Sequence, residues 1–161
     1  MELCFAVDKS LGRLAKWLRL LGFDTWYQAG GVLEGCPDLN DRIVLTRSRK
    51  VFQTLDPARS ILIVHNEWSD QMRQVIQVSG IRTELVRPFS RCLQCNTVIK
   101  IIDKKKVYGK VPDYIWEMHD HFSSCPGCGH IFWRGSHLVN SMEKIVRFLN
   151  PGVRKRMSRR S

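Results

Sequence analysis

No apolar run in this chain approaches the roughly 20 residues that a membrane-spanning helix needs, which excludes a helical integral membrane protein. No basic patch precedes an apolar segment near Met1, so no secretion signal is read, and a soluble cytoplasmic protein is the expectation. No internal repeat is visible, which excludes a solenoid. Acid is scarce in the second half. Residues 91–161 hold 5 Asp and Glu against 14 Lys and Arg, a net charge of +9, whereas residues 1–90 hold 10 against 12, a net of +2. A surface so short of carboxylates attracts phosphate backbones through counterion release. An anionic membrane would attract it too, but no amphipathic anchor stands out, so the expected partner is RNA and not a membrane.

Hydrophobic residues make up 43% of the 161, enough for a core, and the length suits one domain plus an appendage. The run Leu3–Val7 is apolar throughout and ends at Asp8, the pattern of a buried parallel strand with an acid at its carboxyl end. Leu11, Leu14, Ala15, Leu18 and Leu21 recur at helical spacing, with Arg13, Lys16 and Arg19 on the other side. Ser10 is positioned to cap that helix and Gly22 to close it. Further strands are predicted over 24–27, 42–46, 61–64 and, at an edge, 82–86. Helices are predicted over 49–54 and 68–79. Residues 28–42 are Gly-rich, with room for one short helix. The alternation predicts an α/β fold with a parallel sheet and a ligand site beyond the carboxyl ends of its strands. Pro88 marks a boundary, giving units over 1–88 and 89–149 and a basic, solvated, disordered tail over 150–161.

Six cysteines occur, and four of them form the pattern C-x2-C-x29-C-x2-C: Cys92, Cys95, Cys125 and Cys128. Without an export signal, paired C-x-x-C motifs point to metal rather than disulfides. Four thiolates suit tetrahedral zinc, and a two-residue gap lets one tight turn present both sulfurs to a single ion. Gly127 and Gly129 permit the close backbone approach. A closed four-thiolate site leaves no open position for chemistry, so this Zn2+ is structural. Candidate ribbon strands lie at Val98–Ile102, Lys106–Val111 and Ile131–Trp133. His119, His121 and His130 lie close enough in sequence to substitute for a cysteine, but four cysteines make that unnecessary. Cys4 reads as a small buried residue, and Cys36 has no assigned role.

Several separated blocks carry a resemblance. The stretch from Asp8 to Thr25, the block Arg42-Ile-Val-Leu-Thr46-Arg47, the stretch from Pro88 to Asn96, and the stretch from Cys125 to His137 occur in this order. Together they resemble the ribonuclease domain found at the C-terminus of mut-seven type exonucleases, over about residues 4–149. The resemblance implies a parallel-sheet PIN-like nuclease domain followed by a β-rich zinc ribbon. It also implies acids at the strand ends that bind catalytic Mg2+ or Mn2+ to polarise a phosphodiester and activate water. Asp8 matches the first such acid.

Two departures from the family pattern stand out. The third-strand block ends in an acid after Thr-Arg in the family, and here that position is Ser48. The family's acid-rich helix between the second and third strands is replaced by a Gly-rich segment, in which Glu34 is the first candidate acid and Asp38 the second. Beyond the fourth strand, Asn66, Glu67 and Asp70 are further candidates. Asp24 starts a strand instead of ending one and reads as structural. Two functions follow. One is a metal-dependent ribonuclease using Asp8, Glu34, Asp38 and Glu67. The other is a catalytically decayed scaffold that binds RNA through its basic half, with Lys100, Lys104, Lys105, Lys106 and Lys110 on phosphates. Trp133 is a possible base stacker, with core packing the plainer role.

Overall fold

A computed structural model describes residues 2–29 and 33–150, apart from the side chains of Glu34, His137, Leu138 and Ser141. The expected tail therefore lies, from residue 151 on, outside the described residues.

Four short strands, β1 (Cys4–Val7), β2 (Asp24–Trp26), β3 (Ile43–Thr46) and β4 (Ser60–Leu62), pair in parallel in the order β2-β1-β3-β4. Alternate residues face opposite sides, as strand geometry requires. Phe5, Val7, Leu45, Ile61 and Ile63 point into the main core. There they meet α1 (Gly12–Leu20) through Leu14, Ala15 and Leu18, and α3 (Trp68–Ser79) through Met72, Val75 and Ile76. Ala6 and Val44 face the other way, where Cys36, Trp26, Leu33, Leu39 and Leu55 cover them. Cys36 thus has a packing role. The Gly-rich segment supplies this second cover as two 3-10 turns, Leu33–Gly35 and Leu39–Asp41, rather than one helix.

The edge strand predicted over 82–86 does not form. Thr83–Leu85 is an exposed 3-10 turn, and the chain instead docks on the end of α1. The Arg87 amide donates to the Leu21 carbonyl at 2.8 Å, and the Phe89 amide donates to Leu20 at 2.9 Å. Gly22, at φ +94°, makes room for this. A Cβ there would lie 2.3 Å from the Arg87 carbonyl oxygen, against backbone that cannot yield.

Beyond it, β5 (Lys100–Ile102), β6 (Phe122–Ser124) and β7 (Ile131–Trp133) form an antiparallel sheet in that order. The strand expected at Lys106–Val111 is a 3-10 turn over Lys104–Val107. Asp103 caps it by accepting from the Lys105 amide at 2.8 Å, and Val107 pins it into the ribbon's own small core. The pairing partner of β5 is β6, which follows α4 (Asp113–Met118). The last described element is α5 (Ser136–Leu149), which returns to the first unit. Its Ile145 is fully buried in the main core, with Met142, Phe148 and Leu149 packed around it. No described helix is long and apolar enough to cross a membrane.

Candidate functional site

Two places in the fold gather reactive side chains. The first is the cysteine cluster. All four Sγ atoms lie within 4.8 Å of one another, with Cys92 and Cys128 at 3.6 Å and Cys95 and Cys125 at 3.3 Å. Ligands at about 2.3 Å in a tetrahedron stand about 3.8 Å apart, so the spacing is that of a zinc cage. The two knuckles repeat one backbone pattern. The Cys95 amide points at the Cys92 sulfur at 3.5 Å, and the Cys128 amide points at Cys125 at 3.4 Å. The Asn96 amide donates to the Cys92 carbonyl and that of Gly129 to Cys125. Both of these residues are left-handed, at φ +70° and +76°. Such amides stabilise sulfur in its charged form. Burial pushes the Cys92 thiol up to about 12, while hydrogen bonding to Thr97 pulls Cys95 down to about 6. A bound divalent cation deprotonates coordinating thiols outright. Among the described residues no histidine joins the cluster.

The first knuckle is fastened to the parallel sheet. Arg19, expected on the outer face of α1, is instead 3% exposed. Its guanidinium donates to the carbonyls of Leu93 (3.1 Å) and Gln94 (2.8 Å), between the two knuckle cysteines, and to Thr25 (3.0 Å). Asn96 accepts from the Thr25 amide at 3.0 Å and donates to Asp24 at 2.9 Å. Asp24 also pairs with Arg42 at 2.6 Å and lies 3.8 Å from Arg91. Burial alone would raise the Asp24 carboxyl, but the hydrogen bonds from Arg42 and Asn96 and the two arginine charges outweigh it and hold it below its ordinary value. Its structural role follows from position, since it opens β2 at the amino end of the sheet.

Replacing it tests that role. Asp24→Ala leaves Arg42 without its counter-charge and Arg91 with only the exposed Glu2 at 4.0 Å, and should cost roughly 2–3 kcal/mol, below the range for fully buried pairs because Asp24 is partly exposed. A folded carboxyl below its unfolded value stabilises above the unfolded pKa of about 3.9 and loses that contribution as pH falls through the depressed value. Chemical denaturation of wild type and Asp24→Ala should therefore differ at pH 6 and converge near pH 2.

The second place is the carboxyl end of the sheet. Sheet order makes β1 the branch point: the chain leaves it for β2 on one side, then for β3 on the other. Crevices at such switch points are the usual ligand sites of parallel sheets. Asp8 stands there, one residue past β1. Its Oδ2 accepts from the buried Thr46 hydroxyl at 2.8 Å, and its Oδ1 accepts from the Ser10 amide at 3.1 Å. Asp8, not Ser10, is therefore the cap of the first turn. The Ser48 amide donates to Thr46 Oγ1 at 3.1 Å, which directs the Thr46 proton toward Asp8. The Ser48 hydroxyl itself caps α2 (Arg49–Phe52), accepting from the Val51 amide at 3.3 Å.

The other predicted acids are scattered. Asp38 precedes Arg42, whose Nε bonds the Pro37 carbonyl at the amino end of β3, so it stands at the end of the sheet opposite Asp8. Glu67 is exposed at the start of α3, on the carboxyl side, where Arg47 donates to the neighbouring Asn66. The side chain of Glu34 lies outside the described residues. Among the described residues the four cysteines alone form a group of three or more metal-ligating side chains. Sequence reasoning missed Arg19 and Thr46. The buried Arg19 gives no signal beyond its place in an apolar helix, and Thr46 gives none beyond closing an apolar strand run.

Of the five lysines expected on phosphates, Lys100, Lys105, Lys106 and Lys110 are exposed. Lys104 is engaged, bonded to Asp120 at 2.9 Å and lying over the Trp116 ring at 4.9 Å.

A family model described as Mut7-C RNAse domain matches residues 3–146. No curated protein and no solved structure matches the chain.

Proposed function

Since this chain belongs to the Mut7-C RNAse domain family, we propose that it cleaves RNA phosphodiesters at the crevice between β1 and β3 of a PIN-like sheet, with Asp8 as the anchoring carboxylate. The observation that carries this is the placement of Asp8 at the switch point, oriented by a buried hydroxyl from the neighbouring strand. A carboxylate held by Thr46 and the Ser10 amide is pre-organised and keeps free lone pairs for a ligand.

The described donors do not build a two-metal acid cluster. They fit one hydrated Mg2+ or Mn2+, since Mg2+ commonly rests on one or two carboxylates plus substrate phosphate. When bound, that cation would polarise the phosphodiester and lower the pKa of its water. The chain's own contribution is to orient Asp8 through Thr46 and to draw the RNA in by charge. Lys9, Arg13, Arg47, Arg49 and Lys50 are exposed on the segments that leave the carboxyl ends of β1 and β3. The ribbon, closed by four thiolates, holds structure and extends the basic surface through Lys100, Lys105, Lys106 and Lys110.

The Ser48 cap favours a second reading. A position filled by an acid in the family here spends its hydroxyl on α2, and a scaffold that binds RNA without cleaving it would have the same geometry. Incubating the purified chain with fluorescent single-stranded and hairpin RNA in Mn2+ or EDTA separates the two. Cleavage in Mn2+ that EDTA abolishes supports the enzyme. RNA binding with no cleavage in either condition sinks it and leaves the scaffold.

A further inference from the structure

A cavity of about 420 Å3 opens where the ribbon sheet meets the first unit; it borders the first knuckle through Leu93 but includes none of the four cysteines and not Asp8. Its volume lies within the range of about 300–1,000 Å3 usual for small-ligand sites. Four aromatic residues, Phe89, Phe122, Phe132 and Trp133, line it together with the aliphatic Leu20, Leu93, Ile99 and Ile101. The polar lining is His121, Ser123, Arg91 and Arg134, and no acid is among the described lining residues. Arg91 is committed to the Gly22 and Asn96 carbonyls and serves as wall. Arg134 is exposed, its guanidinium over the Phe89 ring at 4.9 Å.

Two features mark this cavity as more than a packing defect. Ile101 is 91% exposed on its rim, an apolar side chain left in water. Phe89 takes a left-handed backbone, φ +59°, which is costly for an aromatic residue. The hydrogen bonds that dock residues 87–89 on α1 hold it there and present its ring to Arg134.

We infer that this cavity receives a nucleobase of single-stranded RNA, an inference that rests on the RNA reading above. Aromatic faces and an arginine plane are what unstacked bases settle on. His121 and Ser123 offer hydrogen-bonding groups for a base edge. The absence of acid from the described lining, with Arg134 at the mouth of a strongly basic half, complements phosphates on either side of the bound base.

The test compares a fluorescein-labelled single-stranded RNA decamer with a ribose-phosphate decamer of equal length that lacks bases, using the full chain loaded with zinc. Stacking one base is worth about 5- to 150-fold in affinity, so the base-bearing strand should bind about tenfold more tightly. Phe132→Ala should bring the two affinities together, and Ile101→Ser, at a position 91% exposed and outside the ribbon's core, should narrow the gap. Equal affinity of the wild type for both strands overturns the cavity assignment while leaving the RNA reading intact. Binding of neither strand overturns both. A concentration-dependent dimer that Ile101→Ser dissolves, without discrimination between the strands, would give the cavity to a second copy of the chain and overturn the inference.

Discussion

Removing zinc, by chelation or by Cys92→Ser, will unfold the ribbon. Structural zinc sites contribute about 10–16 kcal/mol of apparent binding free energy near neutral pH, and that energy is folding energy. The ribbon has little else. Its own core is Val107, Ile115 and Phe122 with a few half-buried neighbours, and its strands are three residues long. Without metal, four sulfurs within 4.8 Å of one another lose the cation that holds them together, and the ribbon loses its main cross-link. Hydrogen exchange should show protection lost from about residue 91 to residue 133. The main core should persist, because its buried side chains come from β1, β3, β4, α1, α3 and α5. One part of it will loosen. Arg19 bonds the Leu93 and Gln94 carbonyls, and a released knuckle leaves that buried guanidinium short of acceptors, so the end of α1 and β2 should exchange faster. Unchanged ribbon protection after chelation would contradict the cage.

The second large effect sits at the far end of the chain. Ile145→Ala should destabilise the first unit by about 3 kcal/mol, the range for emptying a buried aliphatic site. Ile145→Asp should cost about 4 kcal/mol or more, because a carboxylate would be placed among Phe5, Leu14, Met72 and their neighbours without a partner. Val146, one position on and 43% exposed, is the control, and its substitution by Asp should stay within about 0.5 kcal/mol. Thermal melts of the three variants check this. If Ile145→Asp and Val146→Asp melt alike, α5 does not belong to the core.

Much of the fold was legible because apolar runs and helical periodicity report burial directly. Leu3–Val7, Arg42–Thr46 and the 68–79 helix read correctly because each is apolar on the face it buries. Residues 82–86 look like a strand by composition, but sequence does not say that Gly22 opens a docking place for the chain just beyond. The lysine run at 104–106 reads as a strand flank only if the Asp103 cap is ignored. The apolar spacing of Met142, Ile145 and Leu149 carries a helix signal, but not which unit it covers. At the candidate site, the four cysteines were fully visible, because spacing alone encodes two knuckles. The acids were not. Asp8 lies where its strand-end position put it. Asp38 stands at the opposite end of the sheet, because a 3-10 turn carries the Gly-rich segment back to the start of β3. Arg19 escaped notice because a charged residue on an amphipathic helix normally faces water, and only the fold reveals four backbone carbonyls waiting for it.

The claim that Asp8 is the working carboxylate is tested most directly by single-turnover cleavage of one labelled RNA by wild type and Asp8→Asn in Mn2+. Asparagine keeps the shape and removes the charge; its one amide oxygen can still accept from the Ser10 amide, while its Nδ2 cannot accept from the Thr46 hydroxyl. The account predicts loss of cleavage by about a hundredfold or more, with RNA affinity held within a few-fold. Cleavage at an unchanged rate in the variant would contradict it.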